Sequence, residues 1–143
     1  MKKIIISLCI VFTVLTTVAC GAPDSALEQN KWSLNSYGEQ NNQEQVLNGT
    51  VITATFDKTK REVSGSGGCN TYFATYEINE NILSISNLAW TEMACLSTAG
   101  VMDQEQEFLS LLADAESFQV DDTSLTITCS NGRLLYYIRA SNK

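Results

Sequence analysis

Two cysteine motifs constrain what this chain can fold into. The first is Gly68-Cys69-Asn70, at the end of the glycine-rich run 64–68, and the second is Thr91-Glu92-Met93-Ala94-Cys95. Their spacing suits a disulfide across a small β-rich domain, because closing a loop of about 27 residues stabilises a fold by roughly 3–4 kcal/mol. That is a large fraction of the stability of a domain of this size.

The pairing of these cysteines depends on a third one, Cys129. It ends the alternating run Leu125–Cys129, which places it on the same face as Leu125 and Ile127 and predicts a buried thiol in the core. We therefore expect Cys69 and Cys95 to form the disulfide. The alternative is a reduced protein in which both are free thiols.

Residues 1–19 have the composition of a lipoprotein signal peptide. Lys2 and Lys3 precede the apolar stretch 4–18, which at about 15 residues is shorter than the roughly 20 that a membrane-spanning helix needs. The stretch ends in Thr17-Val18-Ala19-Cys20, which resembles a bacterial lipobox, although Thr17 stands where leucine is usual. We expect Cys20 to carry the lipid and residues 20–29 to be an anchor and tether. The alternative is an ordinary secretory signal that is cleaved nearby.

The charge and composition exclude several classes of function. Without Lys2 and Lys3 the chain has 7 basic and 16 acidic residues, a net charge of −9, which repels polyphosphate and argues against nucleic-acid binding. Attachment to a membrane would therefore depend on the lipid anchor. The sequence contains no histidine, the commonest general base and a frequent zinc ligand. We predict no enzymatic activity, no metal and no cofactor.

The remaining chain has patterns of strands around a single helix. Alternating apolar residues predict strands at 32–37, 51–56, 72–78, 82–85, 125–129 and 133–139, and 38–49 is predicted to be an exposed loop. From Met102 to Ala115 the apolar residues instead follow one helical stripe. Asn131-Gly132 is a strong hairpin signal. A single helix with one apolar face, which must pack against the predicted strands, indicates an α+β fold.

These motifs together resemble the META domain of HslJ-like bacterial envelope lipoproteins. The residues that carry the resemblance are Val63-Ser64-Gly65, Gly68-Cys69-Asn70-Thr71-Tyr72, Tyr76, Leu88-Ala89-Trp90-Thr91-Glu92-Met93-Ala94-Cys95, Glu105, Phe108-Leu109 and Leu112. The resemblance extends over roughly residues 32–137, and we assign the domain to residues 30–140. It implies a strongly curved antiparallel sheet, a partly open barrel, packed on one main helix. Ala74 departs from the glycine that many members carry.

The resemblance also implies a role in the cell envelope. It suggests a non-enzymatic lipoprotein in envelope stress response or antibiotic tolerance, in the outer membrane if the organism has one and otherwise on the outer face of the plasma membrane. The rival hypothesis is a binding module whose curved sheet holds a lipid or an apolar peptide. Trp90 and Phe73 are the candidate contacts for an envelope partner or lipid, with Trp90 in the core as the alternative.

Other candidate sites have simpler structural explanations. The glycine run 65–68 lacks the Lys-Ser/Thr of a phosphate-binding loop and is predicted to form a tight bend or bulge. Glu105 and Glu107 are predicted to lie on a solvated helix face, and Asp121-Asp122 in a turn. Cys95 lies just before the helix, where a lowered thiol pKa would make it reactive, but a structural disulfide is the favoured interpretation.

Overall fold

The computed structural model describes residues 23–96 and 98–141, and this part of the chain forms nine strands and two helices. In chain order the elements are α1 (Pro23–Glu28), β1 (Lys31–Glu39), β2 (Asn42–Gln45), β3 (Thr53–Asp57), β4 (Glu62–Ser66), β5 (Thr71–Asn79), β6 (Ile82–Trp90), α2 (Val101–Ala113), β7 (Ala115–Val120), β8 (Ser124–Cys129) and β9 (Arg133–Arg139). The predicted helix overlaps α2, and the six predicted strands overlap β1, β3, β5, β6, β8 and β9. β2, β4 and β7 are not among the predicted strands.

Antiparallel pairing closes eight of the strands into a barrel. β1 pairs with β3 along one edge and with β9 along the other, which joins β1, β3, β4, β5, β6, β7, β8 and β9 in a ring. The expectation of a partly open barrel is therefore wrong. The β1–β9 ladder extends from Trp32↔Arg139 to Glu39↔Arg133, so the first and last barrel strands leave no open edge between them.

β2 lies outside this ring. It forms a hairpin with the end of β1, from Ser36↔Gln45 to Glu39↔Asn42, and most of its residues are exposed. The segment 38–49, predicted to be a loop, therefore contains a short strand beyond the rim of the barrel.

The shortest stretch of strand pairing in the ring is the one between β6 and β7. These strands share the register position Ile82↔Ser117, next to which the N–H of Phe118 donates to the carbonyl of Asn81 (2.9 Å). The two strands are antiparallel, so the start of β7 at Ala115 lies near the first residues of β6. β6 continues beyond that point to Trp90 without pairing with β7.

Side chains fill the interior of the barrel. Inward-facing residues alternate along the strands, and the largest fully buried ones are Trp32, Tyr72, Tyr76, Tyr137, Phe56 and Phe108. Cys129 is buried among them, as its alternation predicts. A barrel of eight strands is just wide enough to be filled by side chains in this way.

Helix α2 covers the end of the barrel at which β6 ends and β7 begins. Its apolar stripe points inward, and the ring of Phe108 packs edge-on against Tyr72 with centroids 5.3 Å apart. The buried residues of the helix are Val101, Gln104, Glu105, Phe108, Leu109, Leu111 and Leu112. Glu105, one of the two polar residues in this set, is central to the site described below.

Helix α1 lies at the opposite end and corrects the predicted tether. Leu27 is fully buried, its carbonyl accepts a hydrogen bond from Trp32 Nε1 (3.0 Å), and Glu28 Oε1 accepts one from the hydroxyl of Tyr76 (2.6 Å). The folded domain therefore begins before residue 30, inside the segment 20–29. The predicted signal peptide and Cys20 lie outside the described residues. Within those residues, neither helix has the length and apolar character needed to cross a membrane.

Candidate functional site

Glu105 joins helix α2 to the first cysteine motif. Its side chain is only 3% exposed, and Oε1 accepts hydrogen bonds from the backbone N–H groups of Cys69 (3.2 Å) and Asn70 (2.6 Å). Oε2 accepts a third bond from Asn70 Nδ2 (2.6 Å). The prediction that Glu105 lies on a solvated helix face is wrong, because the glycine run folds over it and supplies these donors.

Asn70 extends this network to the second cysteine motif. Its Oδ1 accepts hydrogen bonds from Thr91 Oγ1 (2.8 Å) and from the backbone N–H of Met93 (2.8 Å). Its Nδ2 also donates to the carbonyl of Met93 (3.3 Å). One buried amide therefore positions the chain that leaves β6. The motif around Asn70 is evident in the sequence, but this role depends on contacts with distant residues.

The glycine run is structural, as predicted. A Cβ atom on Gly67 would lie 2.5 Å from Glu105 Oε1, and a Cβ on Gly65 would collide with the backbone carbonyl of Thr53. Gly68 has φ +113°, a conformation that L side chains rarely adopt. Glycine is therefore needed here for the close approach of the loop to α2.

The two cysteine motifs are covalently joined. Cys69 and Cys95 form a disulfide with their Cα atoms 5.9 Å apart, which confirms the predicted pair. Cys129 is the free cysteine of the described residues and is buried; burial raises the pKa of its thiol to about 11. The alternative of free, reactive thiols at 69 and 95 does not hold in this structure.

A cleft of about 240 Å³ opens between α2 and the end of β6. One wall is a stripe of α2, and the other is the chain from Trp90 to Ala94 that Asn70 and the disulfide hold in place. The lining residues are Asn70, Trp90, Glu92, Met93, Ala94, Met102, Glu105, Gln106 and Leu109. Trp90 is 40% exposed, Met93 56% and Met102 41%. Three large apolar side chains therefore meet solvent around one concave surface.

Trp90 and Phe73 do not lie on one surface. Trp90 is paired with the buried Tyr72, so it faces the inside of the sheet at the rim of the barrel. Phe73 is paired with Ala89 on the outer face and is 53% exposed. The structure thus brings Trp90 into the cleft and leaves Phe73 apart. Exposure of Met93 and Met102 was not foreseen, because methionine at these positions suits a core equally well.

The cleft offers few groups for catalysis. Its buried carboxylate, Glu105, already accepts three hydrogen bonds, and the thiols of Cys69 and Cys95 are oxidised. No cluster of three or more metal-ligating side chains occurs in the described ranges 23–96 and 98–141. What the arrangement provides is a fixed apolar surface with polar groups at its base, which is typical of binding rather than of bond-making chemistry.

Comparison with known proteins agrees with the motifs. The META domain model matches residues 25–142, which includes the last four residues of α1, all of α2, the nine described strands and the cleft. The chain belongs to the META domain family. The match begins inside α1, in agreement with the burial of Leu27.

Solved structures of other proteins share the fold. An NMR structure of a protein from Burkholderia xenovorans has a TM-score of 0.70 at 24% identity and covers 99% of this chain and 100% of its own. A DUF4847 family protein from Bacteroides vulgatus has a TM-score of 0.59 at 17% identity, covering 84% of this chain and 99% of its own. At these identities the similarity concerns the fold alone. A search of curated proteins found no match.

Proposed function

We propose that this META domain protein is a non-enzymatic, lipid-anchored protein of the cell envelope that binds apolar segments of partner proteins in the cleft beside α2. The observation that carries the proposal is the cluster of exposed Trp90, Met93 and Met102 around that cleft. Trp is enriched at the centres of protein interfaces, and methionine adapts its shape to different apolar partners.

The dimensions favour a peptide side chain over a lipid. The barrel interior is packed with aromatic residues, and the cleft, at about 240 Å³, is smaller than the roughly 300–1,000 Å³ of typical small-molecule sites. It has room for one or two apolar side chains of a partner. Two further clefts, of about 340 and 400 Å³, have charged side chains in their linings, Arg61 and Glu77 in one and Asp121, Asp122 and Arg139 in the other, so they suit an acyl chain poorly.

The remaining parts of the proposal come from the sequence. Residues 1–19 and Cys20 would place the protein on the outer face of a membrane, and the absence of histidine supports a role without catalysis. An envelope role in stress response or antibiotic tolerance, suggested by the resemblance to HslJ-like lipoproteins, would then follow from capture of apolar segments. Such segments become exposed when envelope proteins are damaged.

A selection experiment tests cleft binding. The full-length lipoprotein in nanodiscs would be offered a display library of random nine-residue peptides, with empty nanodiscs as the background control. We expect apolar peptides to be enriched, and their affinity to fall at least tenfold for Met102→Glu. Phe73→Glu is the matched control, because it places the same charge at an exposed apolar position on the outer face.

Two results would overturn the proposal. One is the absence of any enriched peptide that distinguishes the native protein from Met102→Glu. The other is an acyl lipid, apart from the Cys20 anchor, that remains bound in native mass spectrometry and is displaced by Met102→Glu. The second result would favour the lipid-binding hypothesis instead.

A further inference from the structure

Strand β6 has a free edge beside the cleft. β6 pairs with β5 from Asn79↔Ile82 to Tyr72↔Trp90, but its pairing with β7 in the described part of the chain is limited to Ile82↔Ser117. Of its nine residues only Leu83 is buried. A strand edge of this kind presents unpaired N–H and C=O groups that can pair with another chain.

The alternating direction of backbone hydrogen bonds along β6 identifies the N–H and C=O groups that lie on its free edge. The N–H of Thr91 donates to the carbonyl of Thr71 on β5 (3.0 Å). Because backbone groups alternate in direction along a strand, those of Trp90 and Leu88 point away from β5. A bulge at Asn87, which has φ 53°, separates them from the lower part of β6. Two residues therefore offer donors and acceptors at the rim of the barrel, next to the cleft.

The charges around the cleft favour a basic partner. Glu92 lines the cleft and is exposed, and Asp103 is exposed on the first turn of α2. Of the basic residues that the structure describes, Arg133 is the one at this end of the barrel, and its guanidinium is 3.3 Å from Glu107. The other described basic residues, at the α1 end, are Lys31, Lys58, Lys60, Arg61 and Arg139.

We propose that the partner segment binds in extended form and adds a strand to β6. Its backbone pairs with Leu88 and Trp90, one apolar side chain enters the cleft between Met93 and Met102, and a flanking Lys or Arg lies near Glu92. Strand addition supplies affinity through main-chain hydrogen bonds, and the pocket for alternate side chains supplies specificity. This inference rests on the proposed function and specifies its partner: an extended apolar peptide with basic flanks.

Amide hydrogen exchange tests the pairing residue by residue. The probe is the tightest-binding peptide of the selection described above, added to the full-length protein in nanodiscs. We expect exchange at the amides of Leu88 and Trp90 to slow at least tenfold on binding. The amides of Ala89 and Thr91, which face β5, serve as internal controls and should not change.

Backbone-methylated copies of the same peptide give an independent measurement. The N–H groups of a bound strand point alternately toward β6 and away from it. Methylation of those that point toward β6 should lower the affinity at least tenfold, whereas methylation of those that point away should leave it nearly normal. A peptide that binds, and is weakened by Met102→Glu, yet leaves exchange at Leu88 and Trp90 unchanged and tolerates both methylation sets, would overturn strand addition while leaving cleft binding intact.

Charge reversal tests the basic flank. Glu92→Lys should weaken the peptide at least fivefold, whereas Glu77→Lys, an exposed change on β5 toward the opposite end of the barrel, should leave its affinity unchanged. The selected peptides should also be enriched in Lys and Arg. Equal affinity of the peptide for both variants would show that Glu92 does not contribute to recognition of a basic flank.

Discussion

Glu105 and Asn70 are joined by two hydrogen bonds of 2.6 Å, one from the backbone N–H of Asn70 and one from its side-chain amide. Both residues are buried, so this pair connects α2 to the barrel rim without help from solvent. The same amide holds Thr91 and Met93 in place. Glu105 therefore helps to hold this wall of the cleft through Asn70, alongside the disulfide.

Removal of that carboxylate should destabilise the fold. Glu105→Ala leaves the buried N–H of Asn70 and the partly buried N–H of Cys69 without an acceptor, and we expect the free energy of unfolding to fall by about 3 kcal/mol. Urea denaturation followed by circular dichroism measures it. Glu107→Gln, in the half-exposed pair with Arg133, is the control and should change stability by at most about 1 kcal/mol. A similar loss for both variants would contradict the special role of Glu105.

The disulfide should contribute through the unfolded state. Replacing Cys69 and Cys95 together by alanine opens a loop whose ends are 26 residues apart, which should lower the free energy of unfolding by about 3.5 kcal/mol on the chain-entropy estimate. The native protein in a phosphine reductant should match the double variant, and the double variant should not respond to the reductant. A non-reduced peptide digest that links Cys129 to either residue would disprove the pairing.

Two buried tyrosines provide a matched comparison of hydrogen bonding. The hydroxyl of Tyr72 donates to the carbonyl of Thr53 (2.8 Å), whereas the buried hydroxyl of Tyr137 has no hydrogen-bond partner among the described residues. Tyr72→Phe should therefore lower the free energy of unfolding by about 1–2 kcal/mol, and Tyr137→Phe should leave it unchanged or raise it by up to about 1 kcal/mol. The prediction fails if Tyr137→Phe is the more destabilising of the two in urea denaturation.

Local patterns in the sequence predict much of this fold. The alternation that places Cys129 inward, the Asn131-Gly132 hairpin and the stripe on α2 each concern neighbouring residues, and each is present in the structure. These signals need no knowledge of distant contacts. Together with the two cysteine motifs, they predict α2, six of the nine described strands and the family.

Features that depend on distant contacts were missed. Closure of the barrel requires pairing of β1 with β9, which are separated by nearly the whole length of the domain in sequence. A local pattern of apolar residues contains no information about such a pairing. Burial of Glu105 depends on a loop 35 residues earlier that supplies its donors, so a charged residue on a helix was assigned to solvent. β7 follows α2 without a break, and the helical stripe extends into it. The cleft combines all of these contacts and could not be derived from any one segment.

Alkaline conditions should destabilise the domain through its buried acids. Burial raises the pKa of Cys129 from 9.0 to about 11, and burial also raises the pKa of Tyr72, Tyr76 and Tyr137 above the usual 10.0. In the unfolded chain these groups lose their protons at lower pH than in the folded one. Unfolding therefore releases protons above about pH 9, and stability falls as pH rises; below pH 9 their contribution is complete.

The contribution of Cys129 can be separated from that of the tyrosines. Each group that ionises only in the unfolded state adds a slope of up to about 1.4 kcal/mol per pH unit. Up to pH 9, Cys129→Ala should lower the free energy of unfolding by a constant amount. Between pH 9 and 10.5, the free energy of unfolding of this variant should fall less steeply than that of the native protein. Urea denaturation at half-unit steps of pH measures both slopes. Parallel curves across this interval would mean that the thiol ionises equally in the folded and unfolded states.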